Sequence, residues 1–150
     1  MATATPTLKI KKLTEDAFIP EAMTDCSVGL DLAAVDNYSI LPTTVASRAV
    51  MVRTGIAIEL PKGYYATVHL RSSVGRNSKL RLANQVGIID NDYRGEIILL
   101  VENVGRYEQS IAKGERFAQL IIHKQNPVKV VVSEELTETV RANGGFGSTN

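Results

Sequence analysis

The sequence predicts an all-β domain, a sandwich or barrel of many short strands, and three observations carry that expectation. Apolar and polar residues alternate with period two in stretch after stretch, the pattern of half-buried strands. Helical periodicity is scarce. Turn residues separate the alternating stretches at even spacing, as all-β architectures require.

In chain order, residues 8–13 (Leu8-Lys9-Ile10-Lys11-Lys12-Leu13) alternate and form the first expected strand. Residues 50–60 form a long one, in which Gly55 marks a bulge or bend. Pro61-Lys62-Gly63 makes a turn and residues 64–70 return, so these two strands are expected to pair as a hairpin. Residues 73–82 are the one short helix expected, with 134–140 as a second helical stretch. Residues 96–104, 116–123 and 128–132, rich in β-branched and aliphatic side chains, supply further strands. No repeat, linker or internal boundary divides residues 1–150, so the chain is expected to be a single domain. At this length folding buries about 68–70% of the unfolded surface, enough for a core without staples.

Composition narrows the function classes. Apolar residues make up 44% and charged residues 22%, which argues for a globular protein and against disorder. Seventeen Lys and Arg against sixteen Asp and Glu leave a net charge of +1, so no global field favours a nucleic acid or an anionic membrane as partner. The single cysteine, Cys26, excludes an internal disulfide framework and a cysteine-rich zinc site. His69 and His123 lack Cys or acidic neighbours at ligand spacing and read as ordinary histidines. No apolar run approaches the roughly 18–20 residues of a membrane span, and the N-terminus has no signal-peptide core. A soluble intracellular protein is expected, in the cytoplasm, with the nucleus or a virus-infected host cell as the alternatives.

Five segments carry more polar and glycine content than a plain β-domain requires. Ser27-Val28-Gly29-Leu30-Asp31-Leu32 sets a carboxylate in an apolar stretch. Arg71-Ser72-Ser73-Val74-Gly75-Arg76 falls where a strand ends and a helix begins; it suits a phosphate, or simple N-capping by Ser72 or Ser73. Asn84-Gln85-Val86-Gly87-Ile88-Ile89-Asp90-Asn91-Asp92-Tyr93-Arg94-Gly95 brings a strand into two carboxylates and a tyrosine. A carboxylate there can act as general base toward a water, and the same residues can form a plain turn. Gly114-Glu115-Arg116-Phe117-Ala118-Gln119 is a turn followed by a strand, with Arg116 and Gln119 on its surface. The tail, residues 141–150, holds glycines around one aromatic: either a disordered terminus, or an arm able to stack on a ring and wrap its amides around an anion.

Taken in order, these segments resemble the five motifs of the trimeric dUTPases over nearly the whole chain. The Asp90-x-Asp92-Tyr93-Arg94-Gly95 run and the Gly144-Gly145-Phe146-Gly147-Ser148-Thr149 tail are the specific ones. The resemblance implies a distorted, jelly-roll-like β-barrel with at most one short helix. It implies a flexible glycine-rich C-terminal arm, 141–150, that closes over the active site. It implies hydrolysis of dUTP to dUMP and pyrophosphate with Mg²⁺, keeping uracil out of DNA and supplying dUMP for thymidylate synthesis.

The same resemblance distributes roles. Asp90 matches the acid that orients and deprotonates the attacking water. Tyr93 matches the ring that lies against the deoxyribose and excludes a 2′-hydroxyl. Asn84, with backbone groups of Gly87, Ile88 and Ile89, matches the hairpin that reads uracil. Arg71, Ser72, Ser73 and Gln119 match residues that hold the triphosphate. Phe146 matches the aromatic that stacks on uracil, and Arg141, Gly147, Ser148 and Thr149 match the arm's phosphate contacts. Asp31 matches an acid near the water shell of the Mg²⁺, which the family holds mainly through triphosphate oxygens and waters. Partners implied are dUTP and two further copies of the chain in a homotrimer with shared active sites; no nucleic acid and no membrane.

Departures from the family pattern are Leu30 in place of an aromatic, Leu70 in place of a proline, Ala142-Asn143 at the arm's entry and Asn150 at its end. None removes a group with a chemical task. Two rival functions remain. A dCTP deaminase shares the fold and an Arg-Ser-Ser-x-Gly-Arg segment, but its glutamate falls at Leu100 here, with Glu102 two residues on. A dUTPase-like nucleotide-sensing trimer is the other, since fold alone does not fix function.

Overall fold

Ten strands and one short helix form among residues 5–145, the part of the chain that this computed structural model describes. In chain order they are β1 (Lys9–Lys12), β2 (Gly29–Ala33), β3 (Tyr38–Ile40), β4 (Val50–Glu59) and β5 (Tyr64–Leu70). Then come α1 (Ser72–Asn77), β6 (Leu80–Leu82), β7 (Gly87–Ile89), β8 (Glu96–Asn103), β9 (Gln109–Ile111) and β10 (Arg116–Lys124). Two four-stranded antiparallel sheets result, one ordered β1-β4-β8-β6 and the other β2-β10-β5-β7, with β3 and β9 pairing separately. The architecture is jelly-roll-like, as expected, but the sheets do not close: β6 ends one sheet, β7 ends the other, and the two edges are not paired.

Alternation decides which side chains fill the space between the sheets. Val52, Ile97, Leu99 and Val101 come from the first sheet, and Leu32, Ala66, Val68, Ala118 and Leu120 from the second, all buried in one cluster. Fully burying an aliphatic side chain of this kind is worth about 1.5–3 kcal/mol, an upper figure because the unfolded chain already buries some surface. On β5, Ala66 and Val68 face this core, so Tyr65, Thr67 and His69 face outward, each matched across the ladder by His123, Ile121 and Gln119 of β10. Thr67 Oγ1 lies 2.8 Å from Nε2 of both His69 and His123, so the hydroxyl bridges the two rings.

Four expectations need correction. The bend at Gly55 is present, with φ of +70° and a register shift between Arg53 and Ala57. The hairpin that should follow it is not. Tyr64 N donates to Pro61 O at 3.2 Å and Gly63 has φ of +80°, the geometry of a type II turn. Such a turn splays strands that a primed turn would keep together, and here β4 and β5 part into different sheets. The helix stops at Asn77, because Leu80-Arg81-Leu82 alternates buried, exposed, buried and pairs with β8 at Asn103, Glu102 and Val101. Residues 128–132 form no strand: both edges of β10 are already occupied by β2 and β5, and Val128 and Val130 stand 84% and 88% exposed. Residues 134–140 form no helix, and Leu136 and Val140 are likewise exposed.

Asn103, which sequence patterning gives no reason to bury, is completely buried at the end of β8. Its Nδ2 donates to Ile40 O at 2.9 Å and Tyr107 O at 2.7 Å, and its Oδ1 accepts from Gly105 N at 2.8 Å. Asn103→Ala strands three backbone groups and is expected to cost about 3 kcal/mol. A melting curve should show Tm lower by roughly 6–12 °C.

Candidate functional site

The residues singled out in the sequence gather into two separate clusters. The first lies where the sheets part. β7 is an edge strand, paired through Gly87, Ile88 and Ile89 to Val68, Thr67 and Ala66 of β5, so its other side offers backbone N–H and C=O groups that no strand takes up. Leading into it, Gln85 adopts φ of +61° and Val86 N bonds to Asn84 O at 2.6 Å, a tight reversal that holds Asn84 beside the edge. Gly87 is buried against Val68, whose Cγ2 occupies the place a Cβ would need. The resulting cavity, about 230 Å³, is lined by Asn84, Gly87, Ile88, Ile89, Asp90 and Tyr93, over a floor that includes Val68, Leu82 and Leu99.

Asp90 is exposed at the end of β7, at the mouth of this cavity. Tyr93 is fixed by two constraints: its hydroxyl donates to Glu96 O at 3.0 Å, and its ring end covers Gly95 so closely that a side chain there would collide with it. Glu96 is itself anchored, with Oε1 accepting from Gly55 N at 2.8 Å and Oε2 paired to Arg53 Nε at 2.9 Å. That partnership raises the Arg53 pKa above its ordinary value through the hydrogen bond and charge of Glu96.

The second cluster lies on the outer face of the same sheet that β7 ends, across β2, β10 and the start of α1. Asp31, Arg71, Ser72 and Gln119 line a cavity of about 270 Å³ together with Met23, Ser27, Val28 and Gly29. Asp31 and Gln119 are cross-strand neighbours, and Gln119 packs onto Gly29 where only a glycine leaves room. Arg71 Nε lies 3.3 Å from Asp31 Oδ2, and the Arg71 guanidinium also donates to Arg116 O at 3.0 Å. The N-cap of α1 is Arg71, without a side-chain cap, so Ser72 and Ser73 begin the helix and do not cap it. Ser73 lines an adjoining cavity with Arg71 and Arg116.

Asp31 Oδ2 is buried and accepts no hydrogen bond from the described residues, although two guanidiniums stand within ion-pair distance. The second of these is Arg116, at 3.6 Å, which sequence reading left on the surface of its strand. Arg116 and Gln119 are three residues apart and would face opposite ways in a regular strand. A bulge between Arg116 and Ala118 turns Arg116 to the Asp31 side, where its guanidinium also touches Met23 Sδ. Nothing in the one-dimensional pattern announces a bulge without a glycine. Arg141 is not brought to either cluster: it is exposed, its Nε bonded to Gly144 O at 2.9 Å. Phe146, Gly147, Ser148 and Thr149 lie outside the described residues.

The two clusters share no lining residue. β10 and β5 stand between β2 and β7, so the clusters are separated by three strand spacings, roughly 14 Å. The first opens from beneath the sheet, among core side chains, and the second lies on its outer face.

An open jelly-roll with an edge-strand pocket and an arginine–serine cluster has counterparts among known proteins. The family model for dUTPase matches residues 15–150. A deoxyuridine 5'-triphosphate nucleotidohydrolase of Hydrogenobaculum is 44% identical over 142 residues, covering 95% of this chain and 96% of that protein. The same-named protein of Rickettsia bellii is 42% identical over 145 residues, covering 95% and 94%. Among solved structures, the Staphylococcus bacteriophage 80alpha dUTPase with dUpNHpp superposes with a TM-score of 0.86 at 24% identity, covering 97% and 99% of the two chains. A mutant dUTPase of phage phi11, described with a structural Mg(II) ion, superposes with a TM-score of 0.78 at 21% identity, covering 88% and 99%. The chain belongs to the dUTPase family.

Gly87→Ala would drive a methyl group into Val68 at the cavity floor. Overpacking of this kind is expected to cost about 1–3 kcal/mol, and a Tm unchanged from wild type would contradict the close approach.

Proposed function

We propose that this chain hydrolyses dUTP to dUMP and pyrophosphate, in a homotrimer whose sites combine groups from different copies. The observation that carries the reading is the β7 edge: a strand with unclaimed backbone donors and acceptors, beside Asn84, leading directly into Asp90 and Tyr93. Such an edge can pair with the polar rim of uracil. A base with the wrong donor pattern would leave those groups unpaired, which is how polar sites discriminate strongly. Gly87, with no side chain, lets a base approach the β7 backbone closely, and so close an approach leaves little room for an added methyl group on it.

Asp90 then acts as general base. It takes a proton from water as the water oxygen bonds to the α-phosphorus, the bond to the bridging oxygen breaks, and pyrophosphate leaves. A positioned base contributes roughly 10²–10⁴-fold. Tyr93, with its hydroxyl tied to Glu96 O, presents a fixed ring to the deoxyribose. Arg71, Ser72, Ser73 and Gln119 hold the triphosphate, with Arg71 steadied by Asp31. Arg141 and the arm residues Phe146, Gly147, Ser148 and Thr149 complete the site.

Among the described residues no group of three or more His, Cys, Asp and Glu could cage a metal. Mg²⁺ keeps several waters and binds through substrate phosphates with few protein ligands, so it needs no such cage. The unsatisfied, buried Asp31 Oδ2 is suited to accept from one of those waters. When bound, Mg²⁺ would neutralise and orient the triphosphate. Two observations support association. Six large apolar side chains between Val128 and Val140 are exposed on an extended segment. The two clusters also open on different faces of the sheet in one chain, so a single nucleotide does not readily meet both. No helix among the described residues is long and apolar enough to cross a membrane. A nucleoside triphosphate substrate is consistent with an intracellular reaction, in the cytoplasm, the nucleus or a virus-infected host cell.

Deamination is disfavoured by Glu102, which is paired to Arg81 at 2.7 Å and does not line the cavity, while Leu100 does. Product analysis tests the reading. With Mg²⁺, dUTP should yield dUMP and pyrophosphate, while dCTP, dTTP and UTP remain intact; chelation should stop turnover. Asp90→Asn should lower kcat by roughly 10²–10⁴-fold. Ammonia from dCTP would overturn the assignment, and dUTP binding without turnover would leave nucleotide sensing in its place.

A further inference from the structure

Asn91 lies between two exposed carboxylates, Asp90 and Asp92, yet it is half-buried and does not line the nucleoside cavity. Its Nδ2 donates to Pro61 O at 2.8 Å and Tyr64 O at 2.9 Å, with Leu60 O a further 3.4 Å contact. An amide nitrogen has two N–H groups, so the two shorter bonds use its full donor capacity. The other bonds of this loop are internal to it or reach only the head of β8. Tyr93 N bonds to Asp90 O, Arg94 to Asn91 O and Tyr93 O, and the Tyr93 hydroxyl to Glu96 O.

Topology gives these contacts their meaning. Residues 90–95 carry the chain from β7 in one sheet to β8 in the other, while Pro61–Tyr64 carries it from β4 back to β5. Asn91 therefore fastens one inter-sheet crossover to the other. The anchoring turn is well determined, closed by Tyr64 N to Pro61 O and by the positive φ of Gly63. Gly63 O in turn accepts from Gln125 N at 2.8 Å, at the point where β10 ends and the exposed C-terminal segment departs.

We propose that Asn91 is the positioning residue for Asp90: its amide holds the backbone on which the carboxylate is carried, using the β4–β5 turn as the fixed point. This rests on the reading of Asp90 as general base. Tyr93, on the same loop, has its own tether to Glu96 O, and Gly87–Ile89 are held by their pairing with β5. The groups assigned to the triphosphate lie in the second cluster, so loss of the Asn91 anchor falls on Asp90 and the chemical step. Small displacements of a reacting group are costly, up to roughly a hundredfold for about 1 Å.

Steady-state kinetics on dUTP with Mg²⁺ tests it. Asn91→Ala should lower kcat by roughly ten- to a hundredfold with KM within about twofold of wild type. Asn91→Asp, nearly the same shape, should lose at least as much, because it sets carboxylate oxygens against carbonyl oxygens. Lys62→Ala, at an exposed position on the same turn, should leave both parameters unchanged. Asn91→Gln keeps the donors but displaces them by one methylene, so it serves if the alanine variant does not fold, and it too should lose kcat alone. Wild-type kcat in a folded Asn91→Ala, with only Tm lowered, would overturn the proposal. Asp90→Asn run alongside separates the failures: an active Asp90→Asn refutes the general base itself, whereas an inactive one beside fully active Asn91 variants refutes only the positioning role.

Discussion

β10 is hydrogen-bonded along both edges, to β2 on one side and β5 on the other, and that pairing governs the rest of the molecule. It pushes β7 to the edge, where backbone groups remain available for a ligand. It places Gln119 across from Asp31, and its bulge swings Arg116 to the same carboxylate. It leaves residues 128–132 with no edge to pair with, so their valines face outward. It also separates the residues proposed to hold the triphosphate, on β10 itself and α1, from those proposed to hold the nucleoside, on β7.

Within each cluster, the residues proposed to meet the ligand are held by their neighbours. Asp31 pins Arg71, Glu96 O receives the Tyr93 hydroxyl, and the Gly87 and Gly29 positions admit close packing from Val68 and Gln119. The arrangement is preorganised in the sense that binding need not order these side chains afterwards, which lowers its entropic cost. The unsatisfied Asp31 Oδ2 is the exception, a buried acceptor left open within a positively charged cradle.

Much of this was legible in the sequence. The alternation of residues 64–70 and 116–123 fixed β5 and β10 within a residue at each end, because a buried face enforces period two. The motif residues Asn84, Gly87, Ile88, Ile89, Asp90 and Tyr93 fall around one cavity, and Asp31, Arg71, Ser72 and Gln119 around another. What stayed hidden depends on contacts between distant segments. Pro61-Lys62-Gly63 reads as a hairpin turn until its type and the competing partners of β4 are known. Leu80-Arg81-Leu82 is too short for its period to outweigh a preceding helix signal. Arg116 needed the bulge, and Asn91 needed the carbonyls of a turn some thirty residues earlier in the chain.

The central claim is that one protomer supplies the nucleoside half of a site and another supplies the phosphate half. Subunit complementation tests it most directly. Asp90→Asn disables the first half and Arg71→Ala the second, so each variant alone should be nearly inactive on dUTP. Refolded together in equal amounts, about one site in four should draw an intact half from each parent, restoring roughly a quarter of wild-type activity. A mixture as inactive as its parents, in trimers shown to contain both chains, would mean that each chain builds its site alone.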